Sequence, residues 1–457
     1  MKVLIKNGLV VRSDGSAAAD VLTEDGRIKR IALSIDERAD RVIDAAGCWV
    51  MAGFIDTHTH LDLDLTTTTT ADDFDTGTKA AVVGGTTTVL DFATQDRGMT
   101  MQDALDKWHK KADGKSSCHY GFHLAVSEWN DDRKAEIDSM IEQGVTSFKM
   151  YMVYPAMRVD DGKIYDALKF IEDKDCLIGV HCENYDLLNA RIDELHAMGR
   201  FEPMAHPDSR PDTVEAAGVS ALMKAAELAD APAWVVHLSC EESLDEVEAA
   251  RGRGVEVYVE TCPQYLTLDK ALYRAPDAEK FIMSPPLRLQ HDREAILKAL
   301  GEGAVDFIGT DHCSFTMAQK ALGEGDFAKV PNGGAGIQNR AELVYTYAVQ
   351  TGYITKEQMA ALLSENAARL FGMYPQKGVL AEGSDADIVI FDPNDPHTIS
   401  YKTNLHNCDN SPYEGMTAGG RARDVLLGGE LVVENGKLIR PYCGRYVFRG
   451  RSARTRK

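Results

Sequence analysis

From residue 49 onward a short apolar run recurs eight times, and each run is followed by a charged, amphipathic stretch. The runs are "WVMAGFID", "TTTVLDFA", "CHYGFHLAVS", "SFKMYM", "LIGVHCE", "AWVVHLS", "VEVYVETC" and "VDFIGTDHC". Their length suits buried strands, whereas "DDFDTGTKAAVVGG", "DRKAEIDSMIEQG" and "CEESLDEVEAARGRG" carry helical patterning and close on a glycine suited to a helix C-terminus. Strands buried on both faces and separated by helices form parallel sheets with crossover connections. Eight alternations favour a closed (β/α)8 barrel over an open doubly wound sheet, although periodicity by itself leaves the second open. The flanks differ: "KVLIKNGLVVRSDGSAAADVLTEDGRIKRIAL", "GSDADIVIFDP" and "ARDVLLGGELVVENGKLI" are short strands joined by DG, NG and GG turns. Both ends are therefore expected to build one small β-sandwich. The division expected is 1–50 sandwich, 51–375 barrel, 376–440 sandwich again, and a basic tail over 441–457.

Composition narrows the setting. A net charge of −21 over 457 residues argues against broad nucleic-acid binding, which needs clustered Lys and Arg. Only the tail, "RYVFRGRSARTRK", is basic, and it reads as a frayed or subunit-packing terminus that an acidic neighbour would attract. No stretch approaches the roughly 18 consecutive apolar residues of a membrane span, and the start lacks a secretory apolar core. The nine cysteines are scattered without CxxC spacing, which fits reduced thiols and a cytoplasmic location.

The metal-capable side chains fall at a regular place. "DTHTH" puts His58 and His60 at the end of the first run, two apart and so on one side of an extended chain. His181 ends the fifth run, His237 the sixth and Asp311 the eighth. In a (β/α)8 barrel these strand ends converge on one mouth, where active sites are built. Four imidazoles and a carboxylate exceed the needs of one tetrahedral ion and suit two divalent ions, which require a bridging anion. Lys149 lies at the same end, inside the otherwise apolar, aromatic or small "TSFKMYMVY". Desolvation lowers the pKa of such an amine. A neutral lysine can add carbon dioxide, and the resulting carbamate offers two oxygens to two metals. Asp56 is expected to orient the HxH loop, His123 to serve in the core or behind the ligands, and His312 to contact substrate or brace a ligand.

The segments "FIDTHTH", "SFKMYMVY", "VHCEN", "VVHLSCEESL", "ETCPQYL", "FIMSPPLR", "GTDHCSF" and "VPNGGAGIQNR" together resemble the hydantoinase and dihydropyrimidinase branch of the amidohydrolase superfamily. The similarity continues through "LFGMYPQKGVLAEGSDADIVIFDP" and "SPYEGM". The resemblance implies two metals, usually zinc. His58, His60, carboxylated Lys149 and Asp311 would hold one, and Lys149, His181 and His237 the other. It implies a metal-activated water attacking a cyclic amide, Tyr154 stabilising the oxyanion, and Asp311 carrying the proton to the leaving nitrogen. Ser284 and Asn332 would bind the imide edge through their backbones. A homotetramer is also implied. The sequence departs from the family pattern at "YPAMRVDDG" and "DLDLTTTTT", the loops expected to receive a ring substituent, with Leu63, Leu65 and Met157 as candidate lining. Related readings are an allantoinase, a dihydroorotase with Arg158 or Arg288 on its carboxylate, and a metal-free scaffold.

Overall fold

The computed structural model describes residues 1–65 and 67–454. Thr66, the first residue of the threonine run, and tail residues 455–457 lie outside the described part.

Five strands open the chain: β1 (Lys2–Arg12), β2 (Gly15–Glu24), β3 (Arg27–Ala32), β4 (Arg41–Asp44) and β5 (Trp49–Ala52). The barrel strands follow as β6 (Phe54–Thr59), β7 (Thr86–Gln95), β8 (His119–Val126), β9 (Ser147–Tyr151), β10 (Leu177–His181), β11 (Ala233–Val235), β12 (Val257–Thr261) and β13 (Phe307–Ile308). They pair in chain order, every pair parallel. The chain closes with β14 (Ile388–Asp392), the short pair β15 (His397–Thr398) and β16 (Thr417–Ala418), then β17 (Arg421–Leu427), β18 (Glu430–Glu434) and β19 (Lys437–Leu438). β14 pairs with β5, so both ends of the chain join in one nine-stranded sheet. Its own core includes Val3, Ile5, Val21, Ile388 and Leu426.

The first apolar run is split between the two units. "WVMA" is β5 of the sheet and "FID" begins β6 of the barrel, with Gly53 between them. A Cβ on Gly53 would lie 2.1 Å from Thr87 Oγ1, so only glycine lets the chain cross there. The eighth strand is the shortest, and the seam between β13 and β6 is reinforced from outside. Arg340, 1% exposed, donates to Ile55 O at 2.7 Å and Ile308 O at 2.8 Å, one carbonyl on each side of the seam. Helix starts are capped by side chains: Asn130 accepts from Arg133 N, Asp160 from Lys163 N and Asn184 from Leu187 N. Inside the barrel Phe92, Trp234, Phe307 and Phe371 pack with Ile55, Leu90 and Tyr258. Each such side chain contributes about 1.5–3 kcal/mol on burial.

As far as Arg454 the tail is packed, not frayed. It crosses the N-terminal end of the barrel, where Val447 N donates to Tyr120 O and Arg445 O accepts from Tyr120 N. Arg449 is 1% exposed and donates to Ser147 Oγ at 2.8 Å and to Phe122 O. Arg454 faces Glu172 and Asp175 of the same chain. The acidic neighbour that attracts the basic tail is its own barrel.

Candidate metal centre

The site is built from strand ends. β6 carries His58 and is followed by His60; Lys149 is the middle residue of β9 and His181 the last of β10; His237 and Asp311 stand just beyond β11 and β13. His58 Nε2 and His60 Nε2 each lie 3.2 Å from Asp311 Oδ1. His181 and His237 rings are 4.5 Å apart, and His58 and His237 rings 5.3 Å. Ligand atoms of His58, His237 and Asp311 fall within 4.8 Å of one another. Tyr154 packs edge-on to His181 at 5.3 Å. The structure thus brings His58, His60, Lys149, Tyr154, His181, His237 and Asp311 to one mouth.

Backbone strain is concentrated here. Tyr154 (φ 63°), His237 (φ 40°) and Asp311 (φ 51°) are left-handed. Among the described residues only Tyr154, His237 and Tyr442 adopt this region without being Gly, Asn or Asp. Conformations of this kind persist where the surroundings over-determine them, commonly at functional sites.

Several buried polar atoms at the mouth have no hydrogen-bond partner: His58 Nε2, His60 Nδ1, Lys149 Nζ and His237 Nδ1. His58 Nε2 approaches Asp311 without a directed hydrogen bond, an arrangement that suits a shared cation. Lys149 is fully buried; its Nζ lies 4.8 Å from the Phe92 ring and 5.0 Å from that of Tyr151, and burial pushes its pKa down to about 8. Imidazole, carboxylate and carbamate donors all accept divalent metals, so the residues present fit such ions.

Behind the ligands stand Asp56, as expected from the sequence, and two carboxylates that the sequence does not single out, Glu260 and Glu183. His58 Nδ1 meets Glu260 Oε1 at 2.6 Å, and His181 Nε2 meets Glu183 Oε2 at 2.7 Å. A carboxylate behind a histidine fixes its tautomer and raises its basicity, the usual pattern behind metal ligands. Glu183 is held in turn by Arg210 at 2.6 Å. Gly309 makes room for the first pair, since a Cβ there would lie 2.6 Å from Glu260 Oε1 and 2.9 Å from His58 Cβ. Asp56 accepts from His58 N and from Thr310 N and Oγ1. Asp91 accepts from Thr59 Oγ1, Leu61 N and Trp108 Nε1, and burial pushes its pKa up to about 6. Both carboxylates brace the HxH segment. Replacing Glu260 by Gln keeps the shape and removes the charge, so metal affinity is expected to fall about 10–100-fold. Chelator competition measures this, and wild-type affinity in the variant would contradict the assignment.

His123 lies behind the ligands, with Nδ1 2.5 Å from Ser147 Oγ and Nε2 3.0 Å from Thr57 O. His312 reaches Asp72 through Nε2 at 3.2 Å and accepts from Gly336 N through Nδ1, so both ring nitrogens are engaged inside the protein. Ser284 Oγ donates to Asn332 Oδ1 at 3.1 Å, which brings those two residues together. Of the candidate lining residues, Met157 donates its N–H to Tyr154 O at 2.7 Å. Leu63 packs against the main core and Leu65 is exposed. Arg97 fastens the Tyr154–Arg158 loop through Ala156 O and Arg158 O. Arg288 is engaged by Glu215, Asp212 and Ser239, and Arg158 lies 4.2 Å over the Tyr185 ring.

A parallel (β/α)8 barrel with histidines and an aspartate on its strand ends defines the class, and residues 49–432 match the model of the Amidohydrolase family. The chain belongs to that family. It is 41% identical to the D-hydantoinase of Geobacillus stearothermophilus over 99% of this chain and 97% of that one. It is 39% identical to the D-phenylhydantoinase of Escherichia coli O127:H6, over 95% of each. The crystal structure of dihydropyrimidinase from Brevibacillus agri NCHU1002 superposes with a TM-score of 0.98 at 40% identity, covering 100% of both chains.

Proposed function

We propose that this protein opens a hydantoin or dihydropyrimidine ring by hydrolysis of its cyclic amide, giving an N-carbamoyl amino acid. The observation that carries the reading is Lys149: a fully buried amine without a hydrogen-bond partner, set among four histidines and an aspartate. Burial favours the neutral amine, whose lone pair adds to carbon dioxide as one N–H proton leaves to solvent, forming a carbamate. In this reading Lys149, His58, His60 and Asp311 hold one divalent ion, Lys149, His181 and His237 hold a second, and zinc is the proposed metal. When bound, the ions supply Lewis acidity and lower the pKa of water to about 7.

The chain's own groups do the rest. Asp311 accepts the proton of the attacking water and returns it to the ring nitrogen as the C–N bond breaks, acting as base and then acid. Tyr154 donates its hydroxyl to the oxygen on which negative charge develops. Burial holds the Tyr154 phenol above its usual pKa, so it remains a donor at neutral pH. Ser284 and Asn332 hold the imide edge through their backbones. Met157 and the loop bearing Leu63 and Leu65 are proposed to receive the ring substituent. The family resemblance supports a homotetramer, and the composition, with its scattered cysteines, supports a cytoplasmic setting; no described helix is long and apolar enough to cross a membrane.

A dihydroorotase reading is disfavoured because Arg288 is already paired with carboxylates and Arg158 is stacked on Tyr185. A scaffold reading leaves the filled ligand set without a purpose. The test is turnover by metal-replete protein of 5,6-dihydrouracil, the two 5-phenylhydantoin enantiomers, allantoin and dihydroorotate. Opening of a hydantoin or of dihydrouracil is the expected result; turnover confined to allantoin or dihydroorotate would move the assignment to another cyclic amide.

A further inference from the structure

Lys320 ends the short helix Met317–Lys320 and is 1% exposed. Its Nζ donates to three main-chain carbonyls: Ile282 at 2.8 Å, Pro331 at 2.7 Å and Gly333 at 2.7 Å. An ammonium has three N–H donors, and all three are used on backbone. The Phe315 ring lies 5.4 Å from the same nitrogen. The titratable groups that act on it are the Glu279 carboxylate and the Cys313 and Cys408 thiols, which burial pushes up and keeps neutral; none is a hydrogen-bonded partner. Burial pushes the amine down to about 7, whereas three carbonyl dipoles at hydrogen-bond distance favour the ammonium.

The three carbonyls belong to two segments far apart in sequence, one leading to Ser284 and the other containing Asn332. Neither segment lies in a helix or strand, so no backbone ladder fixes their spacing. Two weaker ties join them directly, Gly333 N to Ile282 O at 2.9 Å and Ser284 Oγ to Asn332 Oδ1 at 3.1 Å. Gly333 (φ 143°) lets its segment press against the chain after Asp311, because a Cβ there would stand 2.3 Å from Cys313 O. The carbonyl of Pro331 and the N–H of Asn332 are one peptide unit. A cation on that oxygen therefore both fixes the unit and polarises its N–H, in a low-dielectric setting where such polarisation counts.

We propose that Lys320 is a positioning residue for substrate, clamping the Ser284 and Asn332 segments at the spacing that grips the imide edge of the ring. This rests on the cyclic-amide reading above. In metal-replete, full-length protein Lys320→Met is expected to raise KM about 10–100-fold, the scale of losing a charged hydrogen-bond donor. Its kcat and metal content should stay near wild type. Lys320→Arg is milder, but its planar fork is poorly matched to three converging carbonyls, and a several-fold rise in KM is expected. A wild-type KM in both variants overturns the proposal, as does a loss of kcat and metal without a change in KM, which marks a merely structural lysine. Hydrogen exchange read by mass spectrometry needs no turnover. Faster exchange confined to segments 281–287 and 330–335 in either variant supports the clamp, and unchanged exchange overturns it. If wild-type protein opens no cyclic amide, the functional reading fails, while the exchange result still decides the clamp.

Discussion

Lys149→Ala protein is expected to lose its metal and its ring-opening activity together. The amine is fully buried and unpaired by hydrogen bonds, and its neighbours at the mouth are imidazoles, each able to hold one ion, and the Asp311 carboxylate, which in the proposed centre holds one ion and serves as the base. Removing it leaves the ions without a shared anionic ligand and leaves the like charges unscreened at close range. The fall in kcat/KM should be about 10⁴-fold or more, the scale seen when a group that acts with others as a unit is deleted. Metal analysis of the dialysed variant is the decisive reading. Retention of two tightly bound ions would remove Lys149 from the centre. Alanine leaves a small cavity in β9, so the thermal midpoint should fall modestly while the barrel remains folded.

Asp311→Asn is the second large effect. Asparagine preserves shape and can still offer an oxygen to a metal, yet it cannot take a proton from water and pass it to nitrogen. A drop in kcat of about 10²–10⁴-fold is expected, with a much smaller change in KM. The position of the side chain gives the prediction its force: Oδ1 stands 3.2 Å from both His58 Nε2 and His60 Nε2, held by a left-handed backbone at φ 51°. If kcat of the asparagine variant stays within about tenfold of wild type, proton transfer runs through another group.

How much of this was legible in the sequence follows from the physics of each feature. Barrel strands and closing glycines are local, and they are legible from apolar runs and from Gly after a helical stretch; the capping Asn130, Asp160 and Asn184 appear only in the structure. The ligands were legible because strand ends in a parallel barrel share one mouth, so residues distant in sequence become neighbours by topology alone. Glu260 and Glu183 were not legible as partners. Glu260 in β12 and Glu183 just beyond β10 follow no ligand motif, and only the folded chain places them 2.6 Å from His58 and 2.7 Å from His181. Lys320 was hidden for the same reason, since its partners are main-chain carbonyls that no sequence pattern displays. The tail's attraction to an acidic neighbour is legible in its composition, but its destination is not: Glu172 and Asp175, which receive Arg454, lie nearly three hundred residues earlier. Gly53 divides one apolar run between two units through a contact with Thr87, and a continuous run gives no hint of that division.

The most direct test of the account is a metal titration of ring opening. Protein stripped of metal, equilibrated with bicarbonate and titrated with zinc should open 5,6-dihydrouracil or a 5-substituted hydantoin to the N-carbamoyl acid, with activity rising to a plateau at two ions per chain. Activity that saturates at one ion, or that persists in the stripped protein, would contradict a binuclear centre assembled on Lys149.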